Sequence, residues 1–204
     1  TKDSVISFSK ISGVEIENQI ANIRHILFEV TDSCNLKCAY CGYGEFYEDH
    51  DLRSNKNLSF ELAKLFLDYM ISHLMSTNNR SINYNVYLSF YGGEPLLNIT
   101  LIKEIINYVD TYKVSNINFL YNITTNAVLL NHHMDYLVNK NFRILISLDG
   151  DRDNNSYRVN HNGENSFDRV FSNIKLFKEK YPEALDKNVR FNAVLHNRIS
   201  ISEI

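Results

Sequence analysis

Residues 26–41 read Ile26-Leu-Phe-Glu-Val30-Thr-Asp-Ser-Cys34-Asn-Leu-Lys-Cys38-Ala-Tyr40-Cys41. A run of β-forming side chains ends at Val30, and four residues later all three cysteines of the chain follow within eight positions. Parallel α/β folds present their ligand sites in this way, on loops at the carboxyl ends of strands. Working outward, the alternation continues. Further β-rich runs at 85–90, 117–124, 142–148 and 189–195 are separated by segments of helical period, the pattern of βα units around a parallel sheet. The near-continuous apolar character of these runs predicts strands buried on both faces.

The helices carry their own start signals. Ser59 is placed to cap a helix burying Phe60, Ala63, Phe66, Leu67, Met70 and Leu74, spaced by threes and fours. Asn98 or Thr100 starts the next, with Leu101, Ile102, Ile105, Ile106 and Val109 inward. Asn131 is expected to cap a shorter one bearing Met134, Leu137 and Val138, and Ser166 another bearing Val170, Ile174 and Phe177. Two connections stand out by length, 31–58 and 149–165, whereas the return at 139–141 is short. Long loops inside a compact domain are usually functional.

Composition narrows the function. The 204 residues, 44% hydrophobic and 22% charged with seven Gly and two Pro, describe an ordinary globular chain without repeats or low-complexity tracts. The formal charge of −3 and the lack of a basic run argue against a nucleic-acid partner or an anionic membrane surface. No apolar stretch approaches the ~18 residues of a membrane span, and residues 1–10 have no export-signal pattern. A soluble, cytoplasmic protein is the expectation. An odd, clustered set of cysteines does not make a disulfide framework; it reads as metal ligands or a redox pair.

In Cys34-x-x-x-Cys38-x-x-Cys41, three thiolates on one short loop can reach three corners of a cubane cluster, which leaves one iron without a protein thiolate. An open iron can coordinate a chelating substrate or cofactor. Two other readings stand beside it: a zinc site completed by His50, and a thioredoxin-like Cys38/Cys41 pair. After the second strand comes Tyr91-Gly92-Gly93-Glu94-Pro95, either a tight turn into a helix or a ligand loop. In the latter the glycines admit a ligand to the backbone and Glu94 accepts from an ammonium group. Asn126 follows the third strand, and Ser147-Leu148-Asp149-Gly150 closes the fourth, where Asp149-Gly150 is also a common turn pair. Arg158, in the second long loop, is either a solvated charge or a fork for a carboxylate.

Taken together, these residues resemble the radical S-adenosylmethionine (radical SAM) superfamily, whose hallmark is CxxxCxxC with an aromatic residue, here Tyr40, before the last cysteine. Gly92, Gly93 and Glu94 match its GGE motif. The stretch 146–177 is similar to the branch holding anaerobic sulfatase-maturating enzymes and SPASM/twitch peptide maturases. The resemblance covers about 26–195 and implies an α/β partial (β/α)6 TIM-type barrel, with about five βα units in this chain. It implies a 4Fe-4S cluster on Cys34, Cys38 and Cys41, whose fourth iron binds the amino and carboxylate groups of S-adenosyl-L-methionine (AdoMet). By position, Gly92, Gly93 and Glu94 would meet the methionine amino group, Ser147 the ribose or carboxylate, and Arg158 the carboxylate. Tyr40 and the backbone near Val194 would border the adenine, and Asn126 the ribose.

The implied chemistry is reductive cleavage of AdoMet to a 5′-deoxyadenosyl radical that removes hydrogen from a peptide or protein side chain. The electron would come from a low-potential donor such as flavodoxin or ferredoxin. A small metabolite or RNA is the alternative substrate, and a non-catalytic metal-binding module the alternative class. Glu45, Glu48, Asp49 and Asp51 are candidates to face a peptide. Two departures mark this chain. The family's TNG stands here as Thr125-Asn126-Ala127, which predicts a less free backbone after Asn126. Only five barrel strands are legible, and a fifth helix would be starting at Ile204. The expectation is therefore an N-terminal extension over 1–25 and a core domain over 26–204 that stops before a sixth strand and any auxiliary-cluster domain.

Overall fold

The computed structural model describes residues 11–43, 53–80, 84–112 and 117–197. Five parallel strands, β1 (His25–Thr31), β2 (Tyr84–Gly92), β3 (Ile117–Thr125), β4 (Arg143–Ser147) and β5 (Val189–Asn192), pair in sequence order. Between them run α2 (Phe60–Leu74), α3 (Ile99–Asp110), α4 (Leu130–Asn139), α5 (Phe167–Lys180) and α6 (Pro182–Asn188), preceded by α1 (Gly13–Ala21). Each crossover passes over the same face of the sheet, so the α/β partial barrel expected from the sequence is the fold.

The core lies between the helices and one face of the sheet. On β1, Ile26, Phe28 and Val30 are buried, and against that face lie Ala63, Leu67, Met70 and Leu74 of α2 and the whole expected stripe of α3. Each such aliphatic or aromatic side chain contributes about 1.5–3 kcal/mol on full burial, which fixes the strand order more firmly than propensity does.

The other face corrects the sequence reading. The strands are not covered on both sides. They alternate, and His25, Leu27 and Glu29 on β1 and Arg143 on β4 point into the concave interior, where they are exposed. The interior carries the polar residues of the strands, and that polarity positions a site.

Several local expectations shift. Ser59 caps α2 by accepting from Leu62 N at 3.2 Å, but Phe66 remains 42% exposed, set edge-on to Phe28. Asn131 lies inside α4 and caps nothing, because the helix begins at Leu130. Ser166 holds the N-cap position of α5, and its hydroxyl accepts from Asn155 rather than from the helix. Two helices lie outside the sequence expectations. α1 opens on a reciprocal capping box between Ser12 and Glu15 and leads into Ala21, which is fully buried. α6 opens on Pro182, whose fixed φ suits a first helical position. β5 stops at Asn192, so Val194 lies beyond the strand.

Candidate functional site

Backbone close approach builds the site first. At the end of β1 the register with β2 slips, with Glu29 opposite Tyr91 and Thr31 opposite Gly92, a bulge that re-aims the chain leaving the strand. Gly93 N then donates to Thr31 O and Glu94 N to Ser33 O, both at 2.8 Å, so the glycine turn is zipped onto the start of the cysteine loop. A Cβ on Gly92 (φ 131°) would stand 2.2 Å from Thr31 O, and one on Gly93 would stand 2.1 Å from Ser33 O. These glycines admit the close approach of the chain's own backbone, and both also line the cleft described next.

The two long loops meet over the strand ends. Lys37 N donates to Val159 O (2.7 Å) and Ala39 N to Tyr157 O (3.2 Å), while His161 Nε2 lies 2.9 Å from Cys34 O. Together the loops wall a cleft of about 440 Å³, within the usual range for small-ligand sites. Cys34, Cys38, Cys41, Tyr40, Gly92, Gly93, Asn126, Ser147, Arg158 and Val194 all line it.

Glu94 does not. Its side chain is wholly buried behind the turn, where Oε1 accepts from Leu96 N (3.1 Å) and Thr125 Oγ1 (2.7 Å), and Oε2 from Asn126 N (2.7 Å). In this structure the carboxylate is engaged by the protein's own donors. Burial pushes its carboxyl up to about 7, against the pull of the Asn126, Thr125 and Leu96 donors. Glu94 thus holds the 125–126 backbone in place, and Asn126 reaches from it to Asn35 Oδ1 (2.7 Å) and Cys34 Sγ (3.8 Å). Ala127, standing where glycine was expected, adopts φ 61°, a left-handed conformation unfavourable for a residue with a Cβ.

Asp149, read from sequence as half of a turn pair, is a hub. Fully buried, it accepts from Tyr40 OH and Arg158 Nε on Oδ2 and from Val194 N (3.0 Å) on Oδ1. Tyr40, Arg158 and the chain beyond β5 are therefore fixed by one carboxylate, with the Arg158 guanidinium 5.5 Å over the Tyr40 ring. Arg53, which no sequence motif marks, donates to Asp32 O and, at 3.4 Å, to Cys41 Sγ. Glu45, Glu48, Asp49, His50 and Asp51 lie outside the described residues.

The donor set suits a polynuclear cluster. The three thiols are free, and all three line the cleft. Cys34 and Cys41 already accept hydrogen bonds, from Leu36 N (3.4 Å) and Arg53, the kind of contact that tunes cluster potentials. Burial pushes the Cys38 thiol up to about 11 and raises that of Cys34, so loading such a group displaces protons.

With the geometry assembled, likeness to known proteins becomes informative. Residues 28–204 match the family model of the Radical SAM superfamily, and the chain belongs to that family. The family implies an iron–sulfur cluster and AdoMet as cofactors, and the three-thiol cleft fits them. The chain is 33% identical over 150 residues to a cysteine-type anaerobic sulfatase-maturating enzyme of Clostridium novyi, covering 72% of this chain and 38% of that protein. It is 27% identical over 196 residues to the radical SAM cyclopropyl synthase TigE of Paramaledivibacter caminithermalis (91% and 38%). It is 29% identical over 187 residues to a GTP 3′,8-cyclase of Clostridium botulinum (89% and 50%). In fold it is similar to the structure of anSMEcpe with bound AdoMet and Cp18Cys peptide: TM-score 0.65, 19% identity, 84% of this chain and 43% of that one. The chain thus spans 38–50% of the length of these relatives.

Proposed function

We propose that this chain carries the catalytic core of a radical SAM enzyme that modifies a peptide or protein side chain. The observation that carries the reading is the convergence of three free thiols, Ser147 and Arg158 on one cleft. Cys34, Cys38 and Cys41 would hold a 4Fe-4S cluster, and the thiol count leaves one iron open. With AdoMet bound there, the cluster supplies reductive cleavage to a hydrogen-abstracting radical. The chain's own residues orient and shield. Arg158, held through Nε by Asp149, keeps its remaining guanidinium N–H groups for a carboxylate, and Ser147 adds a hydroxyl beside it. Gly92 and Gly93 border the amino group through their backbone, Asn126 the ribose, and Tyr40 and Val194 the adenine. In this reading Glu94 acts from behind, as the anchor of Asn126.

The preference for a peptide rests on the sulfatase-maturating relative and on the peptide named with the structural neighbour. The GTP 3′,8-cyclase similarity supports the metabolite reading in second place. An electron donor of the flavodoxin or ferredoxin kind and a reducing compartment such as the cytoplasm follow from the same chemistry. Among the described residues no helix is long and apolar enough to cross a membrane. The test is anaerobic reconstitution with iron, sulfide, AdoMet and a reductant, with cysteine- or serine-containing peptides in one arm and GTP in another. Peptide-dependent 5′-deoxyadenosine with a mass change on the peptide is expected. Turnover with GTP alone favours the second reading, and about one zinc per chain with no iron abandons both.

A further inference from the structure

Below the cleft, the concave face of the sheet borders a second cavity of about 570 Å³, edged by a polar layer contributed by four successive strands: His25, Ser89, Asn122 and Arg143. Ser89 and Asn122 are register partners, as are Asn122 and Arg143, so the last three lie side by side on one level. Thr124 borders both this cavity and the cleft above; otherwise their walls differ.

Its charge has one sign. Arg143, Lys187 and Arg190 line it, and no Asp or Glu does. Arg143 donates to Tyr87 OH (3.3 Å), and Arg190 to the Asp186 and Val189 carbonyls, so among the described residues neither guanidinium has a carboxylate partner. Lys187 pairs with Glu183 at 3.2 Å on the exposed rim.

The layer is also incomplete by one hydrogen bond. His25 Nε2 stands 2.6 Å from Ser89 Oγ, which receives Asn122 Nδ2 at 3.1 Å, while Asn122 Oδ1 is shut from solvent with no partner among the described residues. A buried polar atom left so costs about 1–3 kcal/mol. The amide's two ends are interchangeable in shape. Turned over, the row runs His25 N–H to Ser89 Oγ and Ser89 O–H to Asn122 Oδ1, and leaves Asn122 Nδ2 in the same closed position.

From this geometry we propose a second binding site in the lower barrel, distinct from the cluster cleft, for an oxyanion: a carboxylate or phosphate carried by a small molecule that enters the barrel. Arg143 and Arg190, both lining the cavity, supply the charge.

The test needs neither cluster nor AdoMet, so its failure is separable from that of the catalytic reading. Inorganic phosphate and, separately, acetate are titrated into the purified chain by calorimetry, at ionic strength fixed with sodium chloride, with thermal unfolding followed in parallel. Saturable binding and a raised Tm with either anion support the site, and the anion that binds more tightly identifies the group. Arg143→Gln and Arg190→Gln should each weaken binding by roughly tenfold or more, the worth of one hydrogen bond to a charged group. Lys178→Gln, on the outer face of α5, should leave it unchanged. If Arg143→Gln does not fold, Arg190→Gln supplies the same reading. No saturable binding above the chloride control, or equal binding by wild type and variants, overturns the proposal.

Discussion

Arg158 donates from Nε to Asp149 Oδ2 across 3.1 Å, and the two side chains are 9% and 0% exposed. An ion pair this withdrawn from water is held by its additional hydrogen bonds, here from Tyr40 OH and Val194 N to the same carboxylate. One side chain thus fixes three residues of the cleft wall. Asp149→Ala strands a buried guanidinium and should cost about 3–5 kcal/mol of stability. Asp149→Asn keeps the shape, can still accept from Val194 N, and should cost less. Urea unfolding of the two variants against wild type checks the order.

Glu94 gives the protein a pH signature. Its carboxyl sits near 7 in the folded chain because burial disfavours the charge, against an ordinary value of 4.5. Between those values the native state holds a proton that the unfolded chain has released, so stability falls as pH rises through this window. The contribution is complete below about 4.5 and lost above about 7. Glu94→Gln cannot titrate and should flatten that part of the stability profile, as measured by chemical unfolding at stepped pH.

Ala127 is strained by its own Cβ. At φ 61° an L-residue is disfavoured by roughly 1–2 kcal/mol, whereas glycine is not. Part of that gain returns through the greater freedom of glycine in the unfolded chain. The Ala127 methyl is also buried in the core, worth about 0.8 kcal/mol, so the terms nearly cancel and Ala127→Gly should move the unfolding midpoint by the equivalent of less than about 1 kcal/mol, with an unchanged m-value.

Arg53 donates to Cys41 Sγ at 3.4 Å and carries its charge to the cluster side of the cleft. Removing a positive donor from a thiolate ligand makes reduction harder. Arg53→Leu should retain the iron content of wild type and shift the reduction potential to more negative values in a potentiometric titration. An unmoved potential contradicts the role.

The fold and most of the cleft were legible because they depend on local period and motif spacing. Strands stood out as apolar runs, and the three cysteines, Ser147 and Arg158 fell at strand ends or in the long loops where ligands bind. What escaped was the direction in which side chains point. Glu29, Ser89, Asn122 and Arg143 punctuate the strands with polar residues that mark an open inner face, yet the surrounding Ile, Leu and Phe suggested burial on both sides. Glu94 turned inward because a neighbouring strand supplied donors from Thr125 and Asn126, contacts 31 and 32 residues away that no window contains. Arg53 reaches Cys41 and Asp32 by tertiary folding of a loop without a period to read. α1, by contrast, is legible in Ser12-x-x-Glu15, the spacing of a capping box.

The account stands most directly on the spectrum of the reduced cluster. After anaerobic reconstitution the chain should carry about four iron atoms and show the EPR signal of a reduced 4Fe-4S centre. Adding AdoMet should change its g-values, because in the proposed site its amino and carboxylate groups would take the iron that Cys34, Cys38 and Cys41 would leave open. A full four-iron signal in Cys38→Ala, or a wild-type signal indifferent to AdoMet, would contradict it.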